Sequence, residues 1–251
     1  MKRSRREFLV LTGAALAAPI CFAGNGSANS MVPHEASSPQ NRAIPPMLDH
    51  ILLGCSDLQQ GIDFVAARTG VRAEFSGVHP GRGTQNALLS LGPGSYLEII
   101  APDPKQESKE PMPNRLKALA QPALVKWAAH PLVSMAQLAG KLKGLGVAFE
   151  GPDKGSRRRP DGKMLHWETL ALKDDASGIL PFFIQWAAGT PHPSFDSPPG
   201  CSLQSFYLVT PDVKAVAATC NKIALSVAIE KGARPYLAAS ISGPGGTLTL
   251  P

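Results

Sequence analysis

Two ionisable residues each stand alone on an apolar run of this 251-residue chain. His50 lies in Leu48–Leu58, LDHILLGCSDL, and Glu98 in Tyr96–Ala101, YLEIIA. Both runs read as short strands buried on both faces. Side chains alternate along a strand, so Leu48, His50 and Leu52 share one face, and Tyr96, Glu98 and Ile100 share one face of the later strand. If the two faces line one interior, His50 and Glu98 meet there. Such a pair can ligate a divalent ion such as zinc, iron, manganese or nickel. It can equally form a hydrogen-bonded pair with Glu98 as a base. A core histidine bonded to a backbone carbonyl is the plain alternative.

Three other places offer polar chemistry. The Gly-rich stretch His79–Asn86, HPGRGTQN, presents Arg82 and Asn86 as donors to an anionic or carbonyl compound if it covers a cavity mouth; otherwise His79 is a surface turn residue. Arg157, Arg158 and Arg159 precede the turn signal Pro160-Asp161-Gly162. They read either as a solvated hairpin or as an anion clamp, because guanidinium groups bind carboxylates and phosphates in a bidentate way. His166 and Glu168 share a strand face with Met164, inside a cavity or on an exposed edge. The Gly-x-Gly lacks the strand–turn–helix setting of a nucleotide fingerprint, and no Ser-His-Asp order, P-loop or His-Glu-x-x-His occurs.

The elements that must position these residues follow from periodicity. Leu48–Cys55 is a strand. Leu58, Ile62, Val65 and Ala66 recur at helical spacing behind a Ser56 or Asp57 cap, and Gly70 ends the helix. Strands are expected over Arg72–Phe75 and Asn86–Leu91 around a loop at Gly77–Gly83, and over Tyr96–Ala101. The order β-α-β-β-β then repeats: strand Leu124–Ala129, helix Ser134–Leu145, strand Val147–Glu150, basic loop Lys154–Gly162, strand Met164–Leu172, a turn at Lys173–Gly178, and strand Pro181–Trp186. Strand Leu203–Val209 and helix Asp212–Ile223 open a third, partial unit expected to pack against the main body.

The N-terminus reads as an address. A basic cluster, KRSRREFL, precedes an apolar run from Phe8 to Phe22 that is too short to span a bilayer. Ser4–Leu9, SRREFL, matches the twin-arginine export motif. Ile20 before Cys21 is a poor lipoprotein site, so no stable membrane anchor is expected. Removing Met1–Ala23 leaves 21 basic and 18 acidic side chains, a net +3, from the 25 and 19 of the full chain. That balance argues against nucleic-acid binding. The remaining Cys55, Cys201 and Cys220 fit no zinc spacing and read as small buried residues. The resulting division is a signal peptide over 1–23, a linker over 24–46, modules over 47–105 and 120–190, and a partial βα module over 200–251. The protein is expected in the periplasm or secreted, with the twin-arginine export machinery and a small-molecule ligand as partners.

With LDHILLGCSDL, the stretches HPGRGTQNALLSLGPGSYLEIIAPDP (79–104), SRRRPDG (156–162) and LPFFIQWAAGTPHPS (180–194) resemble the vicinal oxygen chelate superfamily, and within it the glyoxalase-like domain proteins. The resemblance implies an α+β fold in which paired βαβββ modules form a cupped mixed sheet around a metal. Ligands there come from the first and last strands of each module. His50 and Glu98 match the ligand positions of the first module. In the second, Gln185 takes the place of Glu98, as a carbonyl ligand or a polar lining group, and Lys126 or Trp127, neither a usual ligand, falls near the place of His50. The implied function is an exported, metal-assisted lyase- or isomerase-type enzyme acting on a small oxygen-rich molecule. The alternative is a metal-free protein that sequesters such a molecule in the same cup.

Overall fold

Strand β1 (Leu48–Gly54) is buried at every position. Asp57 then caps α1 (Leu58–Thr69): its Oδ1 accepts the Gln60 N–H at 2.8 Å, a contact worth about 1 kcal/mol. Gly70, with φ of 76°, takes the left-handed conformation that stops the helix. The chain continues through β2 (Glu74–His79), β3 (Thr84–Ser90) and β4 (Tyr96–Pro102). A short helix, α2 (Pro111–Lys117), follows. Periodicity did not foretell it; its prolines fall in the first turn, where a missing N–H costs nothing. The second module is β5 (Ala123–Ala129), α3 (Met135–Gly144), β6 (Phe149–Arg158), β7 (Met164–Leu172) and β8 (Phe182–Trp186). Ser134 and Gln137 form a reciprocal capping box at the start of α3. The computed structural model describes residues 43–173 and 178–251, all within the unit Pro39–Pro251. The expected signal peptide, most of the linker and the centre of the Lys173–Gly178 turn lie outside the described residues.

The two modules build one curled eight-stranded sheet in the order β2-β3-β4-β1-β5-β8-β7-β6. Each first strand runs parallel to its module's last, β1 with β4 and β5 with β8, and the halves meet where β1 lies antiparallel to β5. This is the α+β, cupped-sheet architecture expected from the sequence. The basic stretch is not a loop at its start: Lys154 to Arg158 belong to β6, and the turn begins only at Arg159. Strand alternation therefore applies to the arginines.

The outer face of the sheet carries the main core. Ile51, Leu53, Leu97, Ile99, Trp127, Leu170 and Phe183 pack there with α1 and α3. A second sheet covers them further, made of β9 (Ser202–Thr210), β10 (Ala228–Lys231), β11 (Tyr236–Gly243) and β12 (Gly246–Leu250), with α5 (Val213–Lys222) between β9 and β10. Phe206 of β9 meets the Trp127 ring at 5.0 Å. The C-terminal unit continues past α5 into short strands, β11 and β12 flanking the turn between Gly243 and Gly246, and its order β10-β9-β11-β12 differs from that of the modules. Cys55, Cys201 and Cys220 are all buried.

The inner face is apolar at one end, where Leu52, Ile100 and Leu116 cluster, and polar at the other. The edge strands β2 and β6 approach each other across it. Gly77, with φ of 139°, makes this possible: a Cβ there would lie 3.2 Å from Arg157 Cδ. Gly155 makes room within the β6–β7 pair instead, since a Cβ there would enter the indole of its ladder partner Trp167.

Candidate functional site

His50 pairs with Tyr96 in the parallel register of β1 and β4, so Glu98 lies one rung further along the same inner face. His50 Nε2 stands 3.4 Å from Glu98 Oε2. The expected meeting of these two residues occurs, and it has a third member. Asp49 precedes His50, and simple alternation would send it to the outer face. The β1–β5 ladder, however, steps from Leu48–Ala129 to His50–Ala128, leaving Asp49 as an extra residue. That bulge turns Asp49 inward. Its Oδ1 accepts the His50 Nδ1–H at 2.6 Å, and its Oδ2 accepts from Trp186 Nε1 at 3.0 Å and lies 3.2 Å from His192 Nε2. His192 Nδ1 accepts the Ser194 N–H at 3.2 Å, which leaves Nε2 as the donor to Asp49. It stands at the start of α4 (Pro193–Asp196), between the modules and the second sheet.

Glu98 is held from its other side. Asn86 Nδ2 donates to Glu98 Oε1 at 2.7 Å, and Arg157 Nη1 donates to Asn86 Oδ1, which fixes the amide orientation. His79 lies against the same group, its Nε2 at 3.4 Å from Asn86 Nδ2 and 3.7 Å from Glu98 Oε1, and its Nδ1 at 2.8 Å from Thr84 Oγ1. Tyr96 stacks on the His50 ring at 4.5 Å, and Phe182 meets its edge at 5.6 Å. Asp49, His50, Asn86, Glu98 and Arg157 are all buried.

This setting sets the charges. Burial alone would lower the His50 pKa, but hydrogen bonds to Asp49 and Glu98 outweigh it and raise the value to about 9. Burial alone would raise Glu98, but the bond to His50 and the neighbouring His79 and Asn86 lower it to about 2. Asp49 is driven well below the usual carboxylate range, because bonds from His192 and His50 outweigh its burial. Burial lowers His79. At neutral pH the array is a protonated His50 between two carboxylates, with a neutral His79 beside it.

The other sequence candidates divide cleanly. Asn86 and Arg157 belong to the site. Arg82 is exposed in the turn after β2, close enough for its charge to lower the His79 pKa. Arg158 is exposed and donates to the Gly162 carbonyl at 3.2 Å. Arg159 pairs with Asp196 at 2.9 Å. Gln185 is not on the inner face: Phe182 meets the His50 ring there, and Gln185, three residues along the same strand, has the opposite parity. Gln185 Oε1 instead accepts the Met135 N–H at the start of α3. His166 is exposed and alternates with Arg157's partner Leu165. His166 and Gln185 line a cleft of about 430 Å³ with Lys154 and Glu168, and Trp186, which donates to Asp49, belongs to its lining as well. Sequence reading missed Asp49 and His192, and it took His79 for a loop or surface turn residue.

The divalent metal implied by the resemblance does not fit this donor set. The second module offers Ala128 or Lys126 and Ile184 or Phe182 where the pattern wants ligands. The Asn86 amide nitrogen, a donor, stands against both Glu98 and His79 where a cation would sit. The buried Arg157 guanidinium adds positive charge one residue away. Among the described residues no group of three His, Cys, Asp or Glu side chains is placed to hold an ion.

A family model described as a glyoxalase-like domain matches residues 48–223. The crystal structure of a hypothetical protein from Staphylococcus aureus is 16% identical, covering 81% of this chain and 98% of its own, with a TM-score of 0.64. Methylmalonyl-CoA epimerase from Mycobacterium tuberculosis is 18% identical over 58% of this chain and 91% of its own, with a TM-score of 0.44. A Streptomyces coelicolor methylmalonyl-CoA epimerase complex gives 22%, 58%, 100% and 0.43. The first likeness shows the fold; the epimerase likenesses are too partial to carry an argument about chemistry. No curated protein matches by sequence.

Proposed function

Because the chain belongs to the glyoxalase-like domain family, we propose that it is an enzyme that moves a proton on a small oxygen-rich carbonyl compound, a lyase- or isomerase-type reaction. The observation that carries this reading is the buried Asp49–His50–Glu98 alignment, which holds an ionised base and a protonated acid side by side. Glu98 takes a proton from the carbon next to the substrate carbonyl. His50 Nε2–H, which stands 3.4 Å from Glu98 Oε2 in the structure, is shared with the carbonyl oxygen and stabilises the negative charge that develops there. Asp49 keeps the imidazole oriented and charged. Burial keeps water from competing for the proton. Divalent metals are common in this family, but no step here is assigned to one. Export is part of the proposal: Ser4–Leu9 supports passage through the twin-arginine machinery to the periplasm or beyond.

The experiment is hydrogen exchange at carbon, followed by NMR in heavy water with pyruvate and dihydroxyacetone as probes. Wild-type protein is expected to accelerate exchange next to the carbonyl, and Glu98→Gln to slow it roughly 100-fold or more. Saturable binding with no exchange would replace the enzyme by a sequestering protein. No acceleration and no binding would remove the site assignment itself.

A further inference from the structure

Arg157 is buried, yet its charge is not paired. Its Nη1 is used by Asn86, and the opposite edge of the guanidinium, Nε and Nη2, bonds no described residue. Nε is the one buried side-chain polar atom among the described residues that has no partner. Glu98 influences Arg157 through space but is not in ion-pair contact with it, because Asn86 stands between them. A buried guanidinium without a carboxylate is costly unless something supplies the missing anion. The chain makes room for this residue at some expense: Gly77 adopts a φ of 139°, and a side chain there would press on Arg157 Cδ. The neighbours Arg158, exposed, and Arg159, half-buried, have partners of their own, the Gly162 carbonyl and Asp196. Arg157 alone is turned inward and left incomplete.

We infer that the Nε–Nη2 edge of Arg157 receives the carboxylate of a small monocarboxylic acid, so that the compound acted on beside Glu98 carries its anionic end there. This rests on the proton-transfer reading of the same cup and names its substrate class. Two coplanar N–H groups match the two oxygens of a carboxylate. Charge argues against a dianionic phosphate: Asp49 and Glu98 are both ionised within the same network, and a second negative charge would be repelled. Asn86 joins the subsite to the proton-transfer centre, since it touches Arg157 with one end and Glu98 with the other. A ligand held by Arg157 is thereby placed within one side chain of the base.

The test is a melting-temperature titration of the full chain with acetate, pyruvate, methyl pyruvate and inorganic phosphate. Acetate and pyruvate are expected to raise the melting temperature saturably, and methyl pyruvate, which lacks the charge, to do so weakly or not at all. Arg157→Lys keeps a positive charge within reach of Asn86 but lacks the two-donor edge, and is expected to weaken pyruvate binding roughly tenfold or more. Arg157→Met, which removes the charge, should abolish it. Unchanged binding in both variants, a response to methyl pyruvate equal to that of pyruvate, a response to phosphate alone, or no response to any carboxylate would each overturn the inference. Pyruvate that binds wild type through Arg157 but exchanges no faster than in water would leave the subsite standing and remove the proton-transfer reading. Exchange that is equally fast in Arg157→Met would do the reverse.

Discussion

Replacing Asp49 by Ala is expected to lower the melting temperature by roughly 10 °C, since removing one partner of a buried ion pair costs about 3–5 kcal/mol and each kcal/mol moves a domain of this size by about 2–4 °C. Asp49 serves three donors: His50 Nδ1, Trp186 Nε1 and His192 Nε2. All three would lose a buried acceptor at once. His50 would lose one of the two carboxylates that hold its proton, so its pKa should fall toward its usual value. Asp49→Asn, which keeps the shape and one acceptor oxygen, should fall between wild type and Asp49→Ala. A loss no larger than that of an exposed residue such as Asp63 would mean that the bulge does not turn Asp49 inward.

The second large effect is on pH dependence. His50 loses its proton near 6.5 in the unfolded chain and near 9 in the folded protein. The stabilisation this brings is complete below about 6.5 and disappears as pH climbs through 9. Glu98 works in the opposite direction. Its folded value of about 2 lies below the ordinary 4.5, so its contribution is present above 4.5 and lost as pH falls through 2. Both limbs describe one ion pair, and the loss at either end is expected to be a few kcal/mol, not the sum. Urea unfolding across this range should give maximal stability between roughly pH 5 and 6.5, with an alkaline limb absent from His50→Gln. An alkaline limb that persists in that variant would assign the effect to another group.

How much of this was visible in the sequence depends on strand parity. His50 and Glu98 could be paired in advance because β1 keeps an unbroken register with β4 from His50 onward, and two-residue periodicity decides which face they share. The same rule misplaces Asp49, because one extra residue in β1 reverses its side and nothing local marks the bulge. Gln185 failed for a related reason. The loose likeness between SYLEIIAP and LPFFIQWA does not fix register, and an offset of one residue exchanges the inner face for the outer. Arg157 could be separated from Arg158 and Arg159 only once Lys154–Arg158 was known to be strand, because a loop has no parity. His192 lies 143 residues from Asp49, and its role follows from the chain's path alone. The overall architecture was legible because the β-α-β-β-β order is carried by caps, glycines and apolar periods that are all local.

We propose that this cup transfers protons with the side chains of Glu98 and His50 and needs no bound ion. The most direct measurement is the carbon-bound hydrogen exchange rate of pyruvate with exhaustively chelated protein, with and without added zinc or manganese. Full exchange activity is expected after chelation, with no gain on adding either ion and loss in Glu98→Gln. Exchange that vanishes on chelation and returns with an ion would contradict it, and would make His50 and Glu98 metal ligands instead of an acid and a base.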